Sequence, residues 1–217
     1  KFKIYKLTNF IINLLFYKGI PLTLPQYFHL INIDKNTKNI FYIHYANQIF
    51  NFNLIKKHKN SKFVFFIYDE WLINGLSHFQ NQSNNIILRT IEEIIYKKKI
   101  NLLNQKNVFL LASTEYLKKK CKKIFFKKKI YKFNYPSDVL FWRRVNEKKS
   151  KKKLFLEEDK KYILFVARGG TNNFRKGGYY LKKILKKYNK NKNIKFLILG
   201  QYHSNDIKLK SNNVEFI

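Results

Sequence analysis

Short apolar runs rich in β-branched and aromatic residues recur along the chain, at Ile40 to His44, Phe63 to Ile67, Val108 to Ala112, Tyr162 to Ala167 and Ile194 to Leu199. Runs of this length, bounded by polar and turn-forming residues, predict buried strands of a parallel sheet. Between them the apolar positions fall three and four apart: Ile87, Ile91, Ile94 and Ile95 within Ile86 to Lys99, Leu117, Cys121 and Ile124 within Glu115 to Phe126, and Leu181, Ile184 and Leu185 within Gly178 to Tyr188. That spacing gathers them on one face of a helix. Strand alternating with helix predicts an α/β fold.

The pattern lapses between Asp138 and Lys161, where FWRRVNEKKSKKKLFLEEDKK carries charge without apolar periodicity. This predicts a linker at 146–160 between an amino-terminal domain, 1–145, and the start of a carboxy-terminal domain, 161–217. The chain opens at Lys1 and stops at Ile217 in what reads as a strand, with no methionine anywhere, so it reads as a fragment whose second domain is incomplete. The first segment, Phe2 to Tyr17, is apolar with scattered Lys and Asn. It is read as a core helix cut at its start in preference to an interfacial or targeting segment.

Composition changes the picture less than its extremity suggests. Lys and Arg number 45 against 13 Asp and Glu, a net charge of +32, which points toward polyanions. The excess lies in Lys, Asn, Ile, Phe and Tyr, with only 7 Gly and 3 Pro, which is the outcome of drift toward A/T-only codons. The basic residues are also scattered over short runs such as Lys97 to Lys99, Lys118 to Lys123 and Lys148 to Lys153, so most are assigned to solvated helix faces and loops. A single cysteine, Cys121, excludes an internal disulfide framework, fits a reducing compartment and is read as a small apolar helix residue. No Cys/His grouping has zinc-ligand spacing, and no apolar run approaches the ~18 residues of a membrane-spanning helix.

Four of the seven glycines crowd into one stretch, LFVARGGTNNFRKGGYY from Leu164 to Tyr180. A strand leads into Arg168, Gly169 and Gly170, a polar turn follows, and Arg175, Lys176 and Gly177 stand at the start of a helix. Ligands of open parallel sheets collect at the carboxyl ends of strands, where a helix N-terminus offers unpaired N–H groups to a phosphate. Arg168, Gly169, Gly170, Arg175 and Lys176 are therefore the candidate anion-binding residues. The order fits neither GxxxxGK[ST] nor GxGxxG.

The stretch ARGGTNNFRKGGYYLKKIL resembles the donor-phosphate loop of family 4 glycosyltransferases, whose fold is GT-B: two Rossmann-like domains with parallel sheets. The resemblance extends upstream in order. NVFLLASTEYLKKKCKKIFFKKKIYKFNYPSDVLFWRR is similar to the family's strand, turn and helix followed by an Asp-x-x-x-Phe segment, matched by Asp138 and by Phe141 or Trp142. FIYDEWLINGLSHF is similar to the His-Asp-x-Trp and Gly-x-x-His-Tyr segment of a bacterial subgroup that builds exopolysaccharide and lipopolysaccharide sugars, and FYIHY to its preceding His-Trp strand. The resemblance implies retaining transfer of a sugar from a nucleotide donor, such as a UDP- or GDP-sugar, to a glycan or lipid-linked acceptor. It implies Arg168 and Lys176 on the donor diphosphate, Asp69 and His78 as catalytic candidates on the acceptor side, and no metal or cofactor beyond the nucleotide sugar. It further implies a cytoplasmic protein, peripheral at the inner face of the membrane.

Departures from the family pattern leave alternatives open. Tyr68 replaces the His of His-Asp-x-Trp, Pro136 stands where an Asn is usual, and the family's donor-gripping Glu pair would lie beyond Ile217. A degenerate, inactive remnant is one alternative. A basic protein that binds nucleic acid or an anionic membrane is the other, supported by 36 Phe and Tyr interleaved with Lys but by no RNP, KH or zinc-knuckle motif, so no specific nucleic acid is expected. Asp69 and Glu70 make a poor hydrolytic pair, because neighbours on an extended segment point to opposite faces. Trp71 is read either as a core or cleft-wall aromatic or as a sugar-stacking ring.

Overall fold

The computed structural model describes residues 6–8, 10–11, 25, 38–47, 50–78, 85–168, 170–172, 174–200 and 211–217. Most of the Phe2 to Tyr17 segment lies outside them. The chain divides into two compact units, Lys1–Pro136 and Ser137–Ile217. Each is built on a parallel sheet, so the fold is mixed α/β and Rossmann-like.

In the first unit, strands β1 (Ile40–Ile43), β2 (Lys62–Ile67), β3 (Val108–Ala112) and β4 (Ile130–Lys132) lie side by side in chain order, all parallel. Helices α1 (Asn53–Lys57), α2 (Ile86–Leu103) and α3 (Glu115–Ile124) make the crossovers. Side chains alternate across each strand: Phe63, Phe65 and Ile67 of β2 and Val108, Leu110 and Ala112 of β3 face one core, packed against Phe52, Trp71, Leu103, Leu117 and Phe125. The strands thus bury one face completely and the other in part, where apolar runs led us to expect burial on both. The second face carries an aromatic layer in which Phe66 and Phe133 meet edge-on at 4.9 Å and Phe133 continues to Tyr135 at 5.7 Å.

Local chemistry sets the helix starts. The Asn85 side chain accepts from Leu88 N at 3.0 Å, and Thr114 Oγ1 from Leu117 N at 3.1 Å, satisfying amides with no partner inside the helix. α2 runs to Leu103, past the expected end at Lys99, because Lys99 is a fully buried interior residue and not the first of a polar tail. Cys121 is buried in α3, where desolvation pushes its thiol up to about 12.

The second unit holds α4 (Glu147–Lys153), β5 (Lys161–Ala167), α5 (Gly178–Tyr188), β6 (Ile194–Gly200) and β7 (Val214–Phe216), with β5, β6 and β7 parallel and adjacent in that order. Leu181 and Leu185 of α5 pack on Phe196 and Ile198 of β6. α4 falls inside the stretch expected to be linker: Asn146 caps it by accepting from Lys149 N at 3.1 Å, and Glu147 pairs with Lys151 at 2.8 Å one turn on. Just before it, Asp138 Oδ1 accepts from Leu140 N at 2.9 Å and Phe141 N at 3.0 Å, fixing a tight turn that leaves Phe141 and Trp142 exposed. Among the described residues no helix is long and apolar enough to cross a membrane.

Candidate functional site

At the carboxyl end of β2 the chain leaves the sheet through Tyr68, Asp69 and Glu70 into a 3-10 turn, Trp71–Ile73. Asp69 Oδ1 accepts from Trp71 N at 2.9 Å, which fixes the carboxylate, and Asp69 Oδ2 lies 2.6 Å from Nδ1 of His78. The two catalytic candidates of the sequence are thus brought together as one hydrogen-bonded pair, an ion pair whenever the imidazole is protonated. Glu70 N donates to His78 O at 3.2 Å, so backbone and side chains together close the Glu70–His78 loop.

Gly75 explains how the loop is held. A Cβ there would lie 2.4 Å from the carbonyl oxygen of Glu92, so the loop touches the backbone of α2 where only glycine fits. Leu76 beside it is fully buried against Leu88. His78 is thereby delivered to Asp69 by a loop anchored on α2, and Trp71 stacks on its imidazole at 6.2 Å.

Adjacent carboxylates part company here, as the extended segment implied. Glu70 turns toward α3, where Oε1 accepts from Tyr116 OH at 2.6 Å and from Lys120 Nζ at 2.7 Å. Burial raises the Glu70 carboxyl, but the bonds from Lys120 and Tyr116 outweigh it and hold the group below the usual carboxylate range. Trp71 is a buried core ring.

Sequence reasoning missed two contributors, Lys99 and Asn47, and left His44, a letter of the FYIHY match, without a role. Lys99, fully buried, donates from Nζ to Trp71 O and sits 4.0 Å above the Trp71 ring. Burial drives its pKa well below the ordinary lysine value, against the opposing pull of Asp69 and Glu92. The charged run Lys97 to Lys99 concealed it; its signal was position, four residues after Ile95 and three before Leu102 on the apolar face. Asn47 places Nδ2 3.4 Å from His78 Nε2. His44 Nδ1 lies 2.6 Å from the hydroxyl of Tyr68, the residue that departs from the subgroup pattern, and His44 stacks on Phe66 at 4.1 Å. Desolvation, with Tyr135 adding to it, pushes the Tyr68 hydroxyl up to about 12. His44, Asn47, Tyr68, Asp69 and Trp71 line a cleft of about 20 Å³ at the ends of β1 and β2, room for one water or hydroxyl group.

In the second unit β5 delivers Arg168 at its carboxyl end, exposed. Gly169 lies outside the described residues. Gly170, with φ of 53°, opens a 3-10 turn ending at Asn172, a second such turn spans Phe174–Lys176, and Gly177 at φ 85° leads into α5. Arg175 and Lys176 are exposed in the turn before that helix, while Thr171, within the first turn, is buried. Gly200, at the end of the neighbouring strand, was not foreseen: a Cβ there would meet Ala167 O at 2.2 Å and Gly170 Cα at 3.2 Å. The three cations are therefore carried on a loop that β6 supports at one glycine.

Among the described residues no group of three or more His, Cys, Asp and Glu side chains is placed to hold a metal ion. No protein-family model matches the chain, and no curated protein matches it significantly.

Proposed function

We propose that the protein is a GT-B type glycosyltransferase that moves a sugar, with retention, from a nucleotide-sugar donor to a glycan or lipid-linked acceptor. The observation that supports this reading is the 2.6 Å contact between Asp69 and His78, two residues picked from separate parts of one motif and joined at the carboxyl edge of a parallel sheet. Asp69 holds the ring with Nδ1–H toward the carboxylate and leaves Nε2 to exchange a proton. The small cleft beside it admits a single hydroxyl group, as an acceptor would present.

Arg168, Arg175 and Lys176, with the amides of the Gly170 and Gly177 turns, are the groups to hold the donor diphosphate. Their charge and the positive end of α5 would stabilise the negative charge that grows on the departing phosphate. UDP or GDP is the leaving group in this reading, and no metal or cofactor is required.

A second reading, contact with an anionic membrane, is favoured by one exposed stretch of the second unit. Phe141 and Trp142 are exposed beside Arg143, Arg144 and the lysines of α4. The two readings are compatible for an enzyme of lipid-linked acceptors.

Saturation-transfer NMR of UDP, GDP and their sugar conjugates against the protein and its Lys176→Ala variant, at about 150 mM salt, tests the first. Nucleotide signal that survives salt and is lost with Lys176 is the expected result. Salt-sensitive binding that is equal in both proteins and displaced by any RNA would overturn it.

A further inference from the structure

Asn47 is buried, 8% exposed, at the end of β1, and its amide is half satisfied. Nδ2 lies 3.4 Å from His78 Nε2, while Oδ1 has no hydrogen-bond partner among the described residues. Half a turn about the last torsion of asparagine exchanges Oδ1 for Nδ2, so the same side chain can present either an acceptor or a donor to the ring. After that turn Oδ1 faces Nε2. The contact is attractive only when Nε2 carries a proton; since Nδ1 already donates to Asp69, such a ring is an imidazolium.

We propose that Asn47 is a positioning residue for the Asp69–His78 pair, turning its amide over as His78 gains or loses a proton. The neutral ring accepts at Nε2 from the Asn47 amide N–H; the charged ring donates from Nε2 to Asn47 Oδ1 and from Nδ1 to Asp69. A buried histidine can then cycle between both states without displacement, as a proton-transferring group must. The inference deepens the reading above by assigning the partner of the mobile proton, and it is tested without any sugar.

Among the described residues, groups on several elements surround the pair. Asp69 favours the charged ring from the same loop; Lys99, its charge disfavoured by burial, donates to Trp71 O from α2, which also carries Glu92; Glu70 is engaged by Lys120 and Tyr116 of α3; His44 and Tyr68 pair with each other at the strand ends. Asn47 is the neutral member, so its removal changes hydrogen bonding without changing charge. Charge-assisted bonds are roughly twice as strong as neutral ones, so Asn47 supports the imidazolium more than the neutral ring.

The test follows the His78 ring nitrogens by long-range ¹H–¹⁵N correlation from about pH 5 to about pH 9. In the unmodified protein the neutral ring is expected as the Nδ1–H tautomer, with Asn47 side-chain amide signals that shift along the same titration curve. In Asn47→Leu the titration midpoint should fall by at least about half a pH unit, and in Asn47→Ser by less. A neutral Nε2–H tautomer, or midpoints in folded variants unchanged within about 0.2 units, would overturn the proposal; the latter would mean that Asn47 only fills space. The tautomer is read on the unmodified protein, so the test stands even where a variant does not fold. Loss of nucleotide binding, by contrast, would bear only on the glycosyltransferase reading.

Discussion

Gly75→Ala isolates the contact that positions His78. The new methyl would sit 2.4 Å from Glu92 O, 2.8 Å from its Cα and 2.9 Å from its carbonyl carbon, all backbone of a packed helix that cannot rotate away. Ordinary van der Waals contact needs at least about 3.4 Å, so the loop must retreat by roughly 1 Å. Overpacking against an unyielding neighbour costs about 2–3 kcal/mol, the upper part of its usual range. Alanine returns about 0.5–1 kcal/mol by restricting the unfolded chain, leaving a net loss of about 2 kcal/mol. For a unit of this size that lowers Tm by about 5–10 °C, measured by calorimetry or far-UV dichroism. The same retreat loosens the 2.6 Å bond between Asp69 and His78, visible as a shift of the His78 ring signals. A variant that melts within about 1 °C of the parent with unchanged ring signals would refute the close approach and the role given to this glycine.

Three further outcomes are expected. Tyr116→Phe removes the 2.6 Å bond to Glu70 but leaves Lys120 in place, and should cost about 1 kcal/mol in denaturant unfolding; a change below about 0.3 kcal/mol would show that Lys120 alone holds the carboxylate. Lys128, which donates to Gln105 O and Val108 O, is pulled by burial from 10.5 to about 8, so between those values the unfolded chain binds the extra proton. Its contribution to stability therefore rises with pH from about 8 to 10.5 and should vanish in Lys128→Met, read as a difference in the slope of Tm against pH; equal slopes would contradict it. Gly200→Ala, blocked at 2.2 Å by Ala167 O, should destabilise the second unit by about 2 kcal/mol and speed hydrogen exchange at Ala167 and Arg168; unchanged exchange at both would remove Gly200 as the support of that loop.

How far these features were legible from sequence depended on whether their signal was local. β3 and α5 occur within the limits their periodicity predicts, since alternation and three-four spacing are properties of the element itself. α4 was read as linker because a basic heptapeptide has no apolar face; Asn146 at its head was the available sign. Asp69 and His78 were legible as motif letters, yet their pairing depends on the approach of Gly75 to α2, which follows from tertiary packing. Lys99 and Asn47 were obscured by composition. In a chain crowded with lysine and asparagine, one buried copy looks like all the solvated ones until burial separates them.

The burial of Lys99 also gives the protein an internal clock. Acylating reagents modify primary amines that solvent can reach, and most of the described lysines lie on the surface, whereas the Nζ of Lys99 is sealed between the Trp71 ring and its carbonyl. It becomes reactive only when α2 parts from the Trp71 turn, so the slow acylation of this one amine, followed by mass spectrometry against the fast background of the rest, times the opening of the structure that carries Asp69.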